Sequence, residues 1–213
     1  MKYAMNLELR GRRCVVLGGG PVALRKARSL MRAEAEVTVV APEAVLDLAS
    51  LAMAGRVHWE RRGYEARDLD GAFLVVCATD DAEVNARAAA EARARGVLVN
   101  APAKPALSDF TVPASFSRGH LLITISTDGG SPALSRALRK QLETLYPKAF
   151  GDWLEIVSSL RETMKKELAT ARDREHFWRQ ALSPDVLELV RAGRIEEAKE
   201  QVIHAAHLSG SES

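Results

Sequence analysis

Between Arg13 and Asn100, short apolar runs alternate with longer stretches of helical periodicity. Cys14-Leu17, Val37-Val40, Val57-Trp59, Phe73-Ala78 and Val97-Val99 read as strands. Three of them are continuous apolar runs, as a parallel sheet covered on both faces requires. After the first run, Ala23, Ala27, Leu30 and Met31 recur at helical spacing, and the alanine-rich Ala82-Arg95 follows the fourth. This alternation predicts an α/β fold with an N-terminal, Rossmann-like doubly wound parallel sheet.

The pattern changes after Pro113. Leu121-Ser126 reads as a further strand, Asp128-Gly129-Gly130 as a turn, and Ser131-Pro132 as an N-cap followed by proline at the first helical position. The helix so begun is expected to bury Leu134, Leu138, Leu142 and Leu145. From Gly151 onward the chain reads as helical. Trp153, Val157, Leu160, Met164 and Leu168 form one stripe, Phe177-Trp178 anchors a second element, and Ile195, Ala198, Val202 and Ala205 a third. The tail Ser209-Ser213 is expected to be disordered. Boundaries near Phe110-Pro113 and near Pro147 divide the chain into a nucleotide-binding domain (1–112), a central strand-helix region (113–146) and an α-helical C-terminal region (147–213). A central piece that short is too small to be stable alone, so it must pack on the first domain or pair with a second chain.

Composition narrows the function classes. The 213 residues are 47% hydrophobic and 27% charged, ordinary for a globular protein, and a net charge of +2 supplies no overall field for nucleic acid or a membrane surface. No apolar run approaches the ~20 residues of a membrane span, and Met1-Asn6 lacks a signal-peptide core, so a cytoplasmic location is expected. Cys14 and Cys77 sit inside strand-like runs without the spacing of a redox or zinc site and read as buried thiols.

The densest chemistry lies at the first strand-helix junction, Val15-Val16-Leu17-Gly18-Gly19-Gly20-Pro21-Val22-Ala23. Gly18, Gly20 and Ala23 make a G-x-G-x-x-A pattern, in which the first glycine permits a tight turn, the second lets a pyrophosphate approach bare backbone, and the alanine allows helix and strand to pack closely. Pro21 suits the first helical position, and the helix start presents free N–H groups and a positive dipole end to phosphate. A tight turn without a ligand is the alternative; the second strand at Val37-Val40 favours the nucleotide.

Six segments taken in order resemble the precorrin-2 dehydrogenase family of siroheme synthesis, including the N-terminal module of siroheme synthases. They are Gly18-Gly19-Gly20-x-Val22-Ala23-x-Arg25-Lys26; Val37-Thr38-Val39-Val40-Ala41-Pro42; Ala78-Thr79-Asp80-Asp81-x-x-x-Asn85; Asp109-Phe110-x-x-Pro113-Ala114; Ile125-Ser126-Thr127-x-Gly129-Gly130-Ser131-Pro132-Ala133-Leu134 with Arg139; and Phe177-Trp178. The resemblance covers nearly the whole chain. It implies a Rossmann domain, a central dimerisation region and a helical tail, assembled as a homodimer. It also implies oxidation of precorrin-2 to sirohydrochlorin with NAD⁺, to which some members add Fe²⁺ insertion.

On that resemblance, Gly18, Gly20, Pro21 and Val22 would hold the pyrophosphate. Pro42 and Glu43 lie just past the second strand, where an acid at Glu43 would bind a ribose hydroxyl and favour NAD over NADP. A solvated acid in the first turn of a helix beginning near Pro42 is the alternative for Glu43. Thr79 and Asp80 end the fourth strand and Asn100 the fifth, at the carboxyl edge where such sheets bind ligands; Asp80 or Asp81 also fits a helix N-cap. The substrate is a polycarboxylate. Arg118, His120, Arg136, Arg139 and Lys140 are therefore candidates for its acidic arms, with Ser126, Thr127, Asp128 and Ser131 as polar contacts, although Arg136, Arg139 and Lys140 also fit a solvated helix face.

One position departs from the family. After the asparagine, members commonly carry Val-Val-Asp, whose aspartate is held to serve both dehydrogenation and metal insertion; here the segment is Asn100-Ala101-Pro102-Ala103-Lys104. Alanine can neither accept a proton nor ligate iron, so a step that needs that carboxylate is impaired, rerouted or absent. Asp109, His120 and Asp128 are the candidate substitutes. His204 and His207 share a helical face without a third ligand in view, and no metal site is expected. Three readings follow: a dehydrogenase with iron insertion weak or missing, a bifunctional enzyme with another base, and a non-catalytic NAD and tetrapyrrole binding protein.

Overall fold

The computed structural model describes residues 2–168 and 170–210, with side chains up to His204. Two compact units meet in sequence between Val112 and Pro113. Among the described residues no helix is long and apolar enough to cross a membrane.

The first unit is built on strands β1 (Arg13–Leu17), β2 (Glu36–Val40), β3 (His58–Glu60), β4 (Leu74–Cys77) and β5 (Leu98–Asn100), all parallel, in the order β3-β2-β1-β4-β5. Helices α1 (Pro21–Arg32), α2 (Leu46–Met53) and α3 (Ala82–Ala94) follow β1, β2 and β4. Successive strand residues point to opposite faces, so strands β1, β2, β4 and β5 each feed two cores. Val15, Leu17, Val75, Cys77 and Val99 pack with Ala88, Ala89 and Ala92 of α3, while Cys14, Val16, Val37, Val39, Leu74 and Val76 pack with Ala23, Ala27 and Leu30 of α1. The small residues on both helices let backbone approach the sheet closely. Register brings Leu17 opposite Val40 and Cys77, and Val76 opposite Asn100, so these strands finish along one carboxyl edge. The chain leaves β1 toward β2 and later returns to β4 on its other side, which makes the β1–β4 gap the switch point of the sheet. Both cysteines are buried and free, and burial pushes their thiols up to about 11.

The second unit opens with an antiparallel hairpin of β6 (Ala114–Arg118) and β7 (Leu121–Ile125), followed by α4 (Pro132–Leu145), α5 (Ala149–Glu167), α6 (Ala171–Ala181), α7 (Pro184–Arg191) and α8 (Ile195–Gly210). Hydroxyl caps start three of these helices: Ser131 accepts from Leu134 N, Thr170 from Asp173 N and Ser183 from Val186 N. Phe150, Trp153, Met164, Leu168, Phe177, Val186, Val190, Ala198 and Val202 form the core. The expected stripes of α5 and α8 thus face inward, with Ala205 of the second outside the described side chains, as is His207 of the histidine pair.

Strand β6 has no apolar run to announce it, because only Phe116 of Ala-Ser-Phe-Ser-Arg is buried. The leucine stripe of α4 is not buried: Leu134, Leu138 and Leu145 are 50%, 36% and 47% exposed, Leu142 is intermediate, and Ser135 is the helix's one buried residue. An amphipathic pattern tells that a face must be covered, not that its own chain covers it. Finally, Ser209 and Gly210 belong to the last turn of α8; the rest of the expected tail lies outside the described residues.

Candidate dinucleotide site

The turn from β1 into α1 is shaped by three glycines with three different reasons. Gly18 has φ +109°, and a Cβ there would stand 2.4 Å from the Ala78 carbonyl oxygen at the end of β4. A Cβ on Gly19 would stand 1.9 Å from the carbonyl oxygen of Glu43, in the loop after β2. That loop is tied down by Val45 N donating to Gly19 O at 2.9 Å. Gly20 is different: nothing lies within 4 Å of the place its Cβ would occupy. The turn is therefore closed on the protein side at Gly18 and Gly19 and open at Gly20. Directly behind Gly20, α1 begins with Pro21 at its first position, no side-chain cap and no acidic residue in the first turn. Its positive end is left for an anion from elsewhere.

The end of β4 is braced by Asn85, which stands in the family-like segment but is not among the site residues that the sequence suggests. Thr79 Oγ1 donates to Asn85 Oδ1 at 2.9 Å and Asn85 Nδ2 donates back to Thr79 O at 2.8 Å, while Asn85 itself is buried. Asp81 is the N-cap of α3, accepting from Glu83 N and Val84 N, which leaves Asp80 exposed at the edge and free of capping duty. Glu43 is exposed as well; α2 starts only at Leu46, so Glu43 and Pro42 stand in the loop and not in a helical first turn.

Asn100 is 5% exposed and fully engaged: Lys26 Nζ donates to its Oδ1 at 2.9 Å and its Nδ2 donates to Phe110 O at 3.1 Å. Ala103 is exposed in the turn beyond it. Asp109 is drawn into the same edge, with Oδ2 accepting from Val99 N at 2.9 Å and Oδ1 facing Arg93 at 3.2 Å.

The other candidates belong to the second unit. Ser126, Thr127, Asp128 and Ser131 form a self-braced turn: Thr127 Oγ1 donates to Ser131 O at 3.1 Å, accepts from Ser131 N at 3.0 Å and meets Ser135 Oγ at 3.1 Å, and Asp128, at φ +52°, donates its N–H to Ser126 Oγ. Arg118 is spent on the carbonyls of Tyr146 and Glu143, and Arg139 pairs with Glu143 at 2.5 Å. Arg136 and Lys140 are exposed, and His120 stands in solvent 3.5 Å from Glu155. Among the described residues no cluster of histidine, cysteine and carboxylate side chains has the makings of a metal site.

The sheet order, the switch point and an open glycine turn beneath an uncapped helix define a doubly wound dinucleotide-binding protein. Residues 5–114 match the family described as "Putative NAD(P)-binding", and the chain belongs to that family. Residues 149–205 match the "Sirohaem synthase dimerisation region". The chain is 40% identical over 200 residues to "Siroheme synthase" of Methylococcus capsulatus, covering 94% of this chain and 42% of that protein. To "Siroheme synthase" of Methylobacillus flagellatus it is 40% identical over 193 residues, 91% of this chain and 41% of the relative. It thus spans about two-fifths of the length of these relatives. It shares its fold with the solved structure of "SirC, precorrin-2 dehydrogenase", at a TM-score of 0.75 and 24% identity over 97% of this chain and 100% of that one.

Proposed function

We propose that this chain is an NAD-dependent dehydrogenase that oxidises precorrin-2 to sirohydrochlorin, acting as a homodimer in the cytoplasm. The observation that carries the reading is the pairing of an open, uncapped glycine turn with similarity to siroheme synthases along 94% of the chain. The backbone of Gly20 and Val22 would hold the pyrophosphate over the tight turn that Gly18 permits, the Gly18 N–H itself donating to Val40 O, with Pro21 fixing the direction of the helix start. Glu43, with Pro42 beside it, would take a ribose hydroxyl, and its charge would repel the extra phosphate of NADP. Thr79, Asp80 and Asn100 would line the crevice.

Oxidation removes two electrons and two protons from the macrocycle. NAD⁺, when bound, takes up the hydride; the chain's own work is to orient the substrate and move the remaining proton. Ser126, Thr127, Ser131, Arg136 and Arg139 are the proposed contacts to the acidic arms. For the proton, the candidates remain Asp109, His120 and Asp128. Asp109 would have to release Val99 N or Arg93 to serve, whereas the exposed imidazole of His120 needs no such rearrangement. Iron insertion stays outside the proposal, because alanine occupies position 103, where the resemblance calls for a carboxylate.

The homodimer has a physical motive in the uncovered leucines. Fully burying an exposed leucine stabilises by roughly 1.5–3 kcal/mol, and covering the half-exposed Leu122, Leu134, Leu138 and Leu145 on the hairpin and α4 would gain a part of that at each. The test is direct: purified protein with precorrin-2 and NAD⁺ should yield NADH and sirohydrochlorin in equal amounts. Absence of both products rejects the enzyme, and sirohydrochlorin binding without turnover would replace it with a carrier.

A further inference from the structure

Lys26 lies on the second turn of α1, where a helical side chain leans back toward the helix start and so toward the carboxyl edge of the sheet. Its ammonium is half-buried and donates to Asn100 Oδ1 at 2.9 Å. Asn100 has no freedom to turn its amide over, since its Nδ2 is committed to Phe110 O. The partner of this cation is therefore a neutral oxygen held in place. Among the described residues no carboxylate lies within ion-pair distance of Lys26, whereas Arg62, also little exposed, is matched by buried Asp68 at 2.6 Å. Burial, and then the like charge of Arg25, pulls the Lys26 pKa below the ordinary lysine value. A half-buried ammonium with three donors and one neutral acceptor is costly to hold, and an incoming anion would offset that cost.

The position selects the anion. Asn100 ends β5, on the β4 side of the glycine turn, away from the β2 side that carries Glu43. Gly20 and Val22 would supply the pyrophosphate's donors, whereas the Lys26 ammonium is held by Asn100 at the end of β5. We propose that Lys26, aimed by Asn100, receives a carboxylate of the tetrapyrrole substrate. This rests on the dehydrogenase reading above.

The test uses the full chain and sirohydrochlorin as probe, with NAD⁺ binding measured separately by calorimetry. Lys26→Met should weaken sirohydrochlorin binding by about tenfold or more, the loss of one charge-assisted contact, and leave the NAD⁺ dissociation constant within about twofold. Lys26→Arg should restore most of the affinity. The fully esterified tetrapyrrole, which has no carboxylate, should bind the wild type and Lys26→Met alike, a result that a purely structural lysine would not produce. Lys26→Gln serves if the methionine variant fails to fold. Unchanged sirohydrochlorin affinity in Lys26→Met overturns the inference, as does a loss confined to NAD⁺, which would assign the charge to cofactor phosphate. If the wild type oxidises precorrin-2 while either result appears, only this inference falls; a wild type that neither binds nor oxidises tetrapyrrole takes the dehydrogenase reading with it.

Discussion

The two units solve the burial problem differently. In the first, the four strands β2, β1, β4 and β5 carry buried or partly buried apolar residues on both faces, only the edge strand β3 being half-covered, and the polar groups at the carboxyl edge are pinned by Asn85, Asn100 and Asp109. In the second, the helical cluster around Phe177 is closed, but the hairpin and α4 leave Leu122, Leu134, Leu138 and Leu145 in water. The first unit is self-sufficient and holds an open seat for a small anion. The second leaves a half-exposed apolar surface on the hairpin and α4. On the function proposed above, cofactor binding belongs to the first unit and assembly to the second.

The sharpest break of this contrast comes from the glycine turn. Gly19→Ala sets a Cβ against the Glu43 backbone carbonyl and Gly18→Ala sets one against Ala78 at positive φ, neither of which can yield cheaply. Either should cost several kcal/mol, seen as a melting temperature lowered by about 10 °C or more or as insoluble protein. Gly20→Ala meets nothing; it should melt within about 2 °C of the wild type, yet bind NAD⁺ about tenfold or more weakly in calorimetry, because the methyl group fills the approach to bare backbone. Next in size, Leu134→Asp combined with Leu138→Asp should convert a dimer to a monomer by light scattering while NAD⁺ affinity stays within about twofold, charge being costly in an apolar interface. An unchanged mass would remove the argument that α4 is the covered face.

Within the first unit, Asp68 gives a smaller effect. Burial raises its carboxyl pKa, but the Arg62 hydrogen bonds, the Glu65 N–H and the Arg62 charge outweigh burial and hold it below the ordinary value. Its stabilisation is then present above the unfolded carboxylate pKa and lost as pH falls through the lower, folded one. Asp68→Asn should cost about 2–3 kcal/mol near neutral pH in urea unfolding and flatten the acid limb of stability. Smallest is Asn85→Ala, expected to cost about 1–2 kcal/mol with a modest loss of NAD⁺ affinity, since the Thr79 turn loses its brace. An unaltered affinity would make Asn85 a stabiliser only.

Much of this was written locally in the chain. Three of the five parallel strands are legible because apolar residues fill both faces, the other two because they recur in the same strand-helix alternation, and the glycine turn because its spacing serves a fixed geometry. Strand β6 escaped because a half-polar hairpin strand with one buried phenylalanine carries no such run. Gly19 escaped because its constraint comes from the carbonyl of Glu43 across the fold. The Lys26–Asn100 contact joins α1 to the far end of the sheet, and no spacing rule connects them. The α4 stripe was readable as apolar but silent about what covers it.

The central claim is that the open seat over Gly20 is a catalytic NAD⁺ site. The most direct measurement follows NADH release when wild type and Gly20→Ala are each given precorrin-2 and NAD⁺. The wild type should give NADH matched by sirohydrochlorin and a Gly20→Ala protein that melts normally should show a rise in the KM for NAD⁺ of about tenfold or more. Equal KM values in two folded proteins, or no NADH from the wild type, would contradict it.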